Sequence, residues 1–303
     1  MMRNYGDPVN EIIIERMCYI QYMMMDKHDF ETIEEVDEEF EKLMDRSPDE
    51  YEPKSDRERA QMLVYDGYLE ESENKMRENA LKALEIDSMC GDAYTLLGYA
   101  NTEDPEQAVE YMLMGEKILS QRFPESFMEE NSGMIYHIIE ARPYLRNLIY
   151  TFYLYDLLNQ FDKAIEIGKR LLELCIMDKM NVMPKTLMLL IQKGEWKEVK
   201  KILQSRAADS DAPGILFAKS IYCHHWKKNR KKAIKYAKKL FKKSDYIRRF
   251  FAGTYIPAET YSGNESPEEI DANEFILNFS KMFAFNPEPA KKWIDLIRQT
   301  AQR

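Results

Sequence analysis

Apolar residues recur along this chain at spacings of three and four, the repeat of a helix with one buried face, and rarely alternate as in a half-buried strand. Residues from about 9 to 25 read as one helix, apolar and rich in Met. Residues from about 29 to 45 read as an acidic one whose apolar face carries Phe30, Ile33, Val36, Phe40 and Leu43. Residues 47–55, with two prolines and several acids, predict a loop. Beyond it the predicted helices come in pairs: 57–70 with 73–86, 92–100 with 105–119, about 142–158 with 161–175, 182–193 with 195–206, and 213–227 with 230–243. Residues 244–265 read as irregular. Ser266-Pro267-Glu268-Glu269 then starts a helix, with Ser as cap, Pro in the first turn and Glu269 completing a capping box, and two closing helices follow at about 267–284 and 287–301.

Each second helix of the later pairs begins after a turn containing Gly, Asn or Asp and carries a small or aliphatic anchor, at Ala164, Val199 and Ala233. The steps of about 35 and about 34 residues match the period of a tetratricopeptide helix pair. In the first pair Met76, Ala80 and Ala83 take the close-packing positions; in the second, Tyr94, Leu97, Gly98, Ala108 and Gly115 do, where small residues let two helices approach. Ala108 and Ala164 stand about 56 apart, so an insertion, most of it residues 123–140, carries a loop and one extra helix. The expected fold is an all-α, right-handed superhelical solenoid of about five such pairs with helical caps. It divides into an N-terminal hairpin over 1–50, a solenoid over 55–260 with its insertion near 120–141, and capping helices over 261–303. The helix at 142–158 is apolar nearly all round, as expected of one packed between neighbours.

Composition agrees with this class. Of 303 residues 45% are hydrophobic, enough for a core, while 11 Gly and 12 Pro leave little room for the turns of an all-β fold. The 19 Met suit irregular helical interfaces. Cys18, Cys90, Cys175 and Cys223 are widely spaced without a CxxC pair, which implies free thiols in a reducing cytoplasm. The first eight residues are polar and lead into no cleavable apolar segment, and the longest apolar run, 148–158, is interrupted by Asp156, so neither secretion nor membrane insertion is expected. The net charge of −10 conceals a polarity: 19 acidic against 7 basic residues over 26–75, and 12 basic against 1 acidic over 227–249. Lys228, Lys231, Lys232, Lys235, Lys238, Lys239, Lys242 and Lys243 share one helix face, with Ala233, Ile234, Ala237, Leu240 and Phe241 supplying the core side. Such a stripe suits a solvated face, an acidic protein surface, the chain's own N-terminal region included, or phosphates. It lacks the interleaved aromatics that stack on single-stranded bases.

Catalytic signatures are missing: no P-loop, no GxGxxG, no GxSxG. Cys223-His224-His225 resembles a soft-metal cluster, but adjacent side chains on a helix diverge by about 100°, so chelation of one ion is not expected. His137 and Glu140 share a face without a second His. Neither an enzyme nor a cofactor or metal site is expected.

Several stretches carry a resemblance: Ala60-Gln61-Met62-Leu63-Val64-Tyr65-Asp66, Lys82-Ala83-Leu84-Glu85-Ile86-Asp87, Asp92-Ala93-Tyr94-Thr95-Leu96-Leu97, Glu140-Ala141-Arg142-Pro143-Tyr144-Leu145-Arg146, and the segment 253–257. Over residues 60–293 the chain resembles a family of bacterial tetratricopeptide-like proteins of unassigned function, themselves distantly similar to the suppressor-of-tumorigenicity-seven family. The chain departs where the family shows Gly-His-Phe-Trp and has Gly133-Met134-Ile135-Tyr136, and where the family shows Asn-Asp-Asn-Gln-Gly and has Met177-Asp178-Lys179-Met180-Asn181. The resemblance implies a concave groove lined by the first helix of each pair. By register its exposed positions are Asp92, Thr95 and Tyr99; Arg142, Arg146 and Tyr153; Asn181, Met188 and Gln192; and Tyr222, His225 and Trp226. Arg142 and Arg146, at i and i+4, read either as partners of nearby acids such as Glu140 that hold the insertion in place, or as a fork for an anion or a C-terminal carboxylate. The Lys and Asn set of a two-carboxylate clamp for chaperone tails is not found. The function expected is a protein-interaction scaffold binding a peptide or protein partner in the groove, in the cytoplasm and away from membranes. The alternative is a regulator contacting nucleic acid or a signalling peptide through the basic stripe.

Overall fold

The computed structural model describes residues 8–25, 32–44, 51–101, 103–258 and 265–301. Among them the regular structure is helical, with one isolated bridge between Met134 and Cys175 and no strand. The helices are α1 (Pro8–Met25), α2 (Ile33–Met44), α3 (Asp56–Leu69), α4 (Glu73–Ile86), α5 (Gly91–Tyr99), α6 (Pro105–Arg122), α7 (Glu125–Glu130), α8 (Arg142–Leu157), α9 (Phe161–Leu174), α10 (Met183–Lys193), α11 (Trp196–Leu203), α12 (Pro213–His225), α13 (Arg230–Lys243), α14 (Asp245–Ala252), α15 (Pro267–Phe285) and α16 (Glu288–Ala301). Phe30 and the start of the predicted loop, 47–50, lie outside the described residues, as does part of the irregular stretch, 259–264.

The chain forms two compact units, residues 1–167 with 173–175, and residues 168–172 with 176–303. In the first, α3 pairs with α4 and α5 with α6, and α3, α5 and α8 follow one another side by side. The pairing depends on small side chains. At Gly98 a Cβ would come within 2.9 Å of the Ala108 carbonyl oxygen, and at Gly115 within 2.8 Å of the Gly91 carbonyl oxygen. The backbones thus touch where any larger residue would part them. Ala60, Val64, Tyr65, Met76, Ala80, Ala83, Ala93, Leu96, Ala108 and Met112 form the core between the pairs, and Ile12 and Tyr19 of α1 join it. The inserted stretch after α6 holds α7 and two 3-10 turns, at Ile135–His137 and Ile139–Ala141.

In the second unit α10 packs on α11, α12 and α15, α12 pairs with α13, and α14 and α16 close the far side. The core is aromatic. The Phe217 ring lies 5.0 Å from Trp293 and 5.5 Å from Phe279, and Phe251 lies 5.0 Å from Phe279. The buried Trp293 indole donates to Ser220 Oγ at 2.9 Å, so its polar atom is satisfied. One expectation fails: part of 244–265 is the helix α14. Ser244 caps it by accepting from the Ile247 N–H, Ile247 and Phe251 bury one face, and Gly253, at φ 79°, ends it. Eight residues give too short a periodic signal beside α13 to stand out in the sequence.

Candidate functional site

Arg146 organises the first unit. It sits one turn into α8, whose start is set by Pro143, and its guanidinium is closed off from solvent. Nε and Nη2 donate to the two Asp92 carboxylate oxygens at 3.2 and 2.6 Å, a side-on fork. Nη1 donates to Glu15 Oε2 of α1 at 2.9 Å. Asp92 also accepts from Gln61 Nε2 at 2.8 Å and from the Tyr68 hydroxyl at 3.2 Å, and Glu15 accepts from the Tyr65 hydroxyl at 3.0 Å. The guanidinium stands 4.9 Å from the centre of the Tyr68 ring, a cation–π contact. Tyr68, Tyr99 and Tyr150 complete the wall, with Tyr99 and Tyr150 stacked at 4.9 Å. One charged cluster therefore ties α1, α3, α5 and α8 together.

The electrostatics hold the guanidinium and the two phenols each in one state. Burial pushes the Arg146 guanidinium down, but the Asp92 and Glu15 carboxylates more than offset that, and it stays a cation well above its ordinary range. Burial, then the neighbouring carboxylate, raises the Tyr65 and Tyr68 hydroxyls far above theirs, so both remain donors. Burial likewise pushes the Cys90 thiol up to about 12, well away from a reactive thiolate.

The expected exposed groove is overturned. Asp92, Thr95, Tyr99 and Arg146, and in the second unit Met188, Gln192 and Tyr222, are buried. Arg142, Tyr153 and His225 are half-buried, and only Asn181 and Trp226 are exposed. The physical reason differs along the chain. Thr95 accepts from Asn147 Nδ2 at 2.9 Å, so α8 closes over α5 there. Asp92 is consumed by Arg146, and α1 lies over α3 with Glu15 reaching α8. In the second unit α15 lies along α10 and α12, and Asn286 at its end donates to the Gln192 carbonyl at 2.7 Å. The arginine pair also separates. Arg142 donates to the Tyr136 carbonyl at 3.1 Å and covers the Tyr136 ring at 5.0 Å, bracing the inserted stretch, while Arg146 turns to acids from elsewhere. Glu140 is met instead by Arg57, at 2.8 Å.

The residues sequence reasoning missed are Glu15, Gln61, Tyr65 and Tyr68. Glu15 did leave a signal, an acid at the centre of the apolar run Ile12-Ile13-Ile14-Glu15-Arg16-Met17. Asp178 caps α10 by accepting from the Val182 and Met183 N–H groups at 2.8 and 3.0 Å; burial lifts its carboxyl to about 6. Met177 is exposed beside it.

The basic face forms along α13 as the spacing predicts, except that Lys228 lies before the helix, at φ 49° in the turn leading to the Asn229 cap. Lys228, Lys231, Lys232, Lys235, Lys238, Lys239, Lys242 and Lys243 are exposed, and Ala233, Ala237, Leu240 and Phe241 are buried behind them. Asp211 meets Lys239 at 3.4 Å. At the end of α12 the His225 ring stacks on Trp196 at 5.3 Å, and burial together with nearby cations lowers both His224 and His225. No group of three or more ligating side chains comes together among the described residues. Nor is any described helix long and apolar enough to cross a membrane.

Compared with protein-family models and with curated proteins, the chain matches none.

Proposed function

We propose that this chain is a protein-interaction scaffold built as a right-handed solenoid of tetratricopeptide-like helix pairs, working in the cytoplasm and binding a peptide or protein partner rather than transforming a substrate. Membership of the bacterial tetratricopeptide-like family resembled by residues 60–293 belongs to the same proposal. The observation that carries it is the use made of the buried chemistry. Arg146, Asp92, Glu15, Tyr65, Tyr68 and Gln61 satisfy one another and join four helices, so the ionisable groups that an enzyme would aim at a substrate here fasten one helix pair to the next. The close approaches at Gly98 and Gly115 and the step of about 34 residues between anchors support the repeat architecture. The four thiols, none in a disulfide, are in keeping with a reducing compartment.

Affinity purification of the tagged chain from its own host, with mass spectrometry and a nuclease-treated parallel sample, tests this. The expected result is one protein recovered in near-equal amount in both samples. Recovery of nucleic acid alone contradicts it. That outcome would favour the second reading, a regulator using the exposed lysines of the α13 face, with Lys228 just before it, against phosphates, a contact that weakens steeply with salt.

A further inference from the structure

The covering helix α1 has the chemistry of a ligand. Its inward face is Ile12, Glu15, Tyr19 and Ile20, all buried, while Ile13, Ile14 and Met17 on the other side are 41%, 58% and 41% exposed. The inward residues recur at intervals of three, four and one, one face of a helix. Apart from apolar contact, its hold on the body of the unit centres on Glu15, with Arg16 to Asp66 at 3.2 Å and the Tyr22 hydroxyl to Glu140 at 3.2 Å nearer the surface.

The charge balance beneath α1 is complete without it. Asp92 engages Nε and Nη2 of Arg146 with both oxygens and is further held by Gln61 and Tyr68, so cation and anion already cancel. Glu15 brings a surplus negative charge to the one remaining edge of the guanidinium, Nη1, and to the Tyr65 hydroxyl. Lift α1 away and there remains a neutral Arg–Asp pair offering two donors, Nη1 and the Tyr65 hydroxyl, at the floor of an apolar trough on α3. That is a receptor for a carboxylate carried by an apolar helix. Thirty residues separate Met25 from Asp56, so α1 and α2 can leave without breaking the chain.

We propose that α1 is an internal ligand of this trough, and that the scaffold's partner presents a helix of the same chemistry: one acidic residue with an aliphatic residue three before it and an aromatic–aliphatic pair four and five after it. This rests on the scaffold reading and names the site and the partner's chemistry. Binding then requires exchange of α1 for the incoming helix, and the partner's apparent affinity is reduced by the fraction of time α1 occupies the trough.

A fluorescent peptide of residues 8–25, with Cys18→Ser and terminal lysines for solubility, tests the exchange by anisotropy. The full-length chain is used as wild type, as Ile12→Ala/Tyr19→Ala, which loosens α1, and as Ile14→Ala, which alters only its outer face. The double variant is expected to bind the peptide at least about tenfold more tightly than the wild type and Ile14→Ala, and to bind a peptide carrying Glu15→Gln about tenfold less well. Equal binding by all three chains overturns the proposal. So does a double variant that has lost its cooperative melt by circular dichroism and does not regain it with peptide, since α1 would then be an integral part of the core. A double variant that light scattering finds as a dimer, refusing peptide, makes a second copy's α1 the occupant and overturns the partner helix. If the peptide fails while the co-purified protein persists with wild type and variant alike, the inference falls and the scaffold reading stands.

Discussion

Replacing Arg146 by Met separates the value of a buried charge cluster from that of its parts. The side chains are similar in length, so packing changes little, but Asp92 and Glu15 are left facing each other without a cation. Both would keep their neutral donors, Gln61 and Tyr68 for one and Tyr65 for the other. Breaking a buried pair by removing one partner costs about 3–5 kcal/mol, because the surviving charge stays desolvated. With a urea dependence of about 2–3 kcal/mol per molar for a unit of this size, the midpoint should fall by about 1–2 M. Far-UV circular dichroism follows both units, whereas Trp196, Trp226 and Trp293 all lie in the second, so fluorescence separates loss in the second unit from loss in the first. Adding Asp92→Asn and Glu15→Gln to Arg146→Met should recover most of the lost stability at neutral pH, since neutral groups keep most of the hydrogen bonds. An unchanged circular dichroism midpoint in the single variant, or a triple variant worse than the single one, refutes the reasoning.

Ala164 is fully buried, so Ala164→Leu should overpack α9 and cost about 1–3 kcal/mol, read from the denaturation midpoint; no change would place that position out of the core. Gly98→Ala should destabilise clearly, because the added Cβ meets backbone at Ala108 as well as the Met112 side chain, and a neutral melt would mean that α5 and α6 can move apart at no cost. Burial first, then the Asp271 charge, opposed by Lys185, raises the Glu274 carboxyl from about 4.5 to about 7. A folded-state value above the unfolded one gives stability that is full below about 4.5 and lost as pH rises through about 7, so the tryptophan-detected midpoint should fall across that window and Glu274→Gln should flatten it. Lys231→Glu with Lys235→Glu and Lys238→Glu should leave the melt within about 0.5 kcal/mol, as expected for exposed positions, and should abolish retention on a polyanion column if the α13 face binds phosphates.

The helices were legible because periodicity, capping residues and glycines agree at each end. Pro143, Pro213 and Pro267 start helices, and Gly194 closes α10 in the left-handed region; α14, ended by Gly253, is the exception, too short for its period to show. The buried anchors Ala164, Val199 and Ala233 also fall where the spacing put them. The groove was not legible, since periodicity tells which face of a helix is apolar or mixed but not what covers it. Arg146 meets Asp92 and Glu15 from 54 and 131 positions away, and no local pattern links them. Arg142 and Arg146 looked equivalent at i and i+4, yet one covers the Tyr136 ring and the other is buried among carboxylates, a difference set by neighbours and not by spacing. Thr95 and Tyr99 were groove positions by repeat register alone; α8, with its Asn147 and Tyr150, closes over them.

Native-state hydrogen exchange of the full-length chain tests most directly whether α1 is a displaceable cover on a scaffold. Amides of α1 should exchange at least about tenfold faster than those of α3, α5 and α8 under conditions where the unit remains folded, because α1 opens in a step of its own while the Arg146–Asp92 pair beneath it stays closed. Exchange of α1 at the same rate as α5 and α8, through a single global opening, would contradict the account.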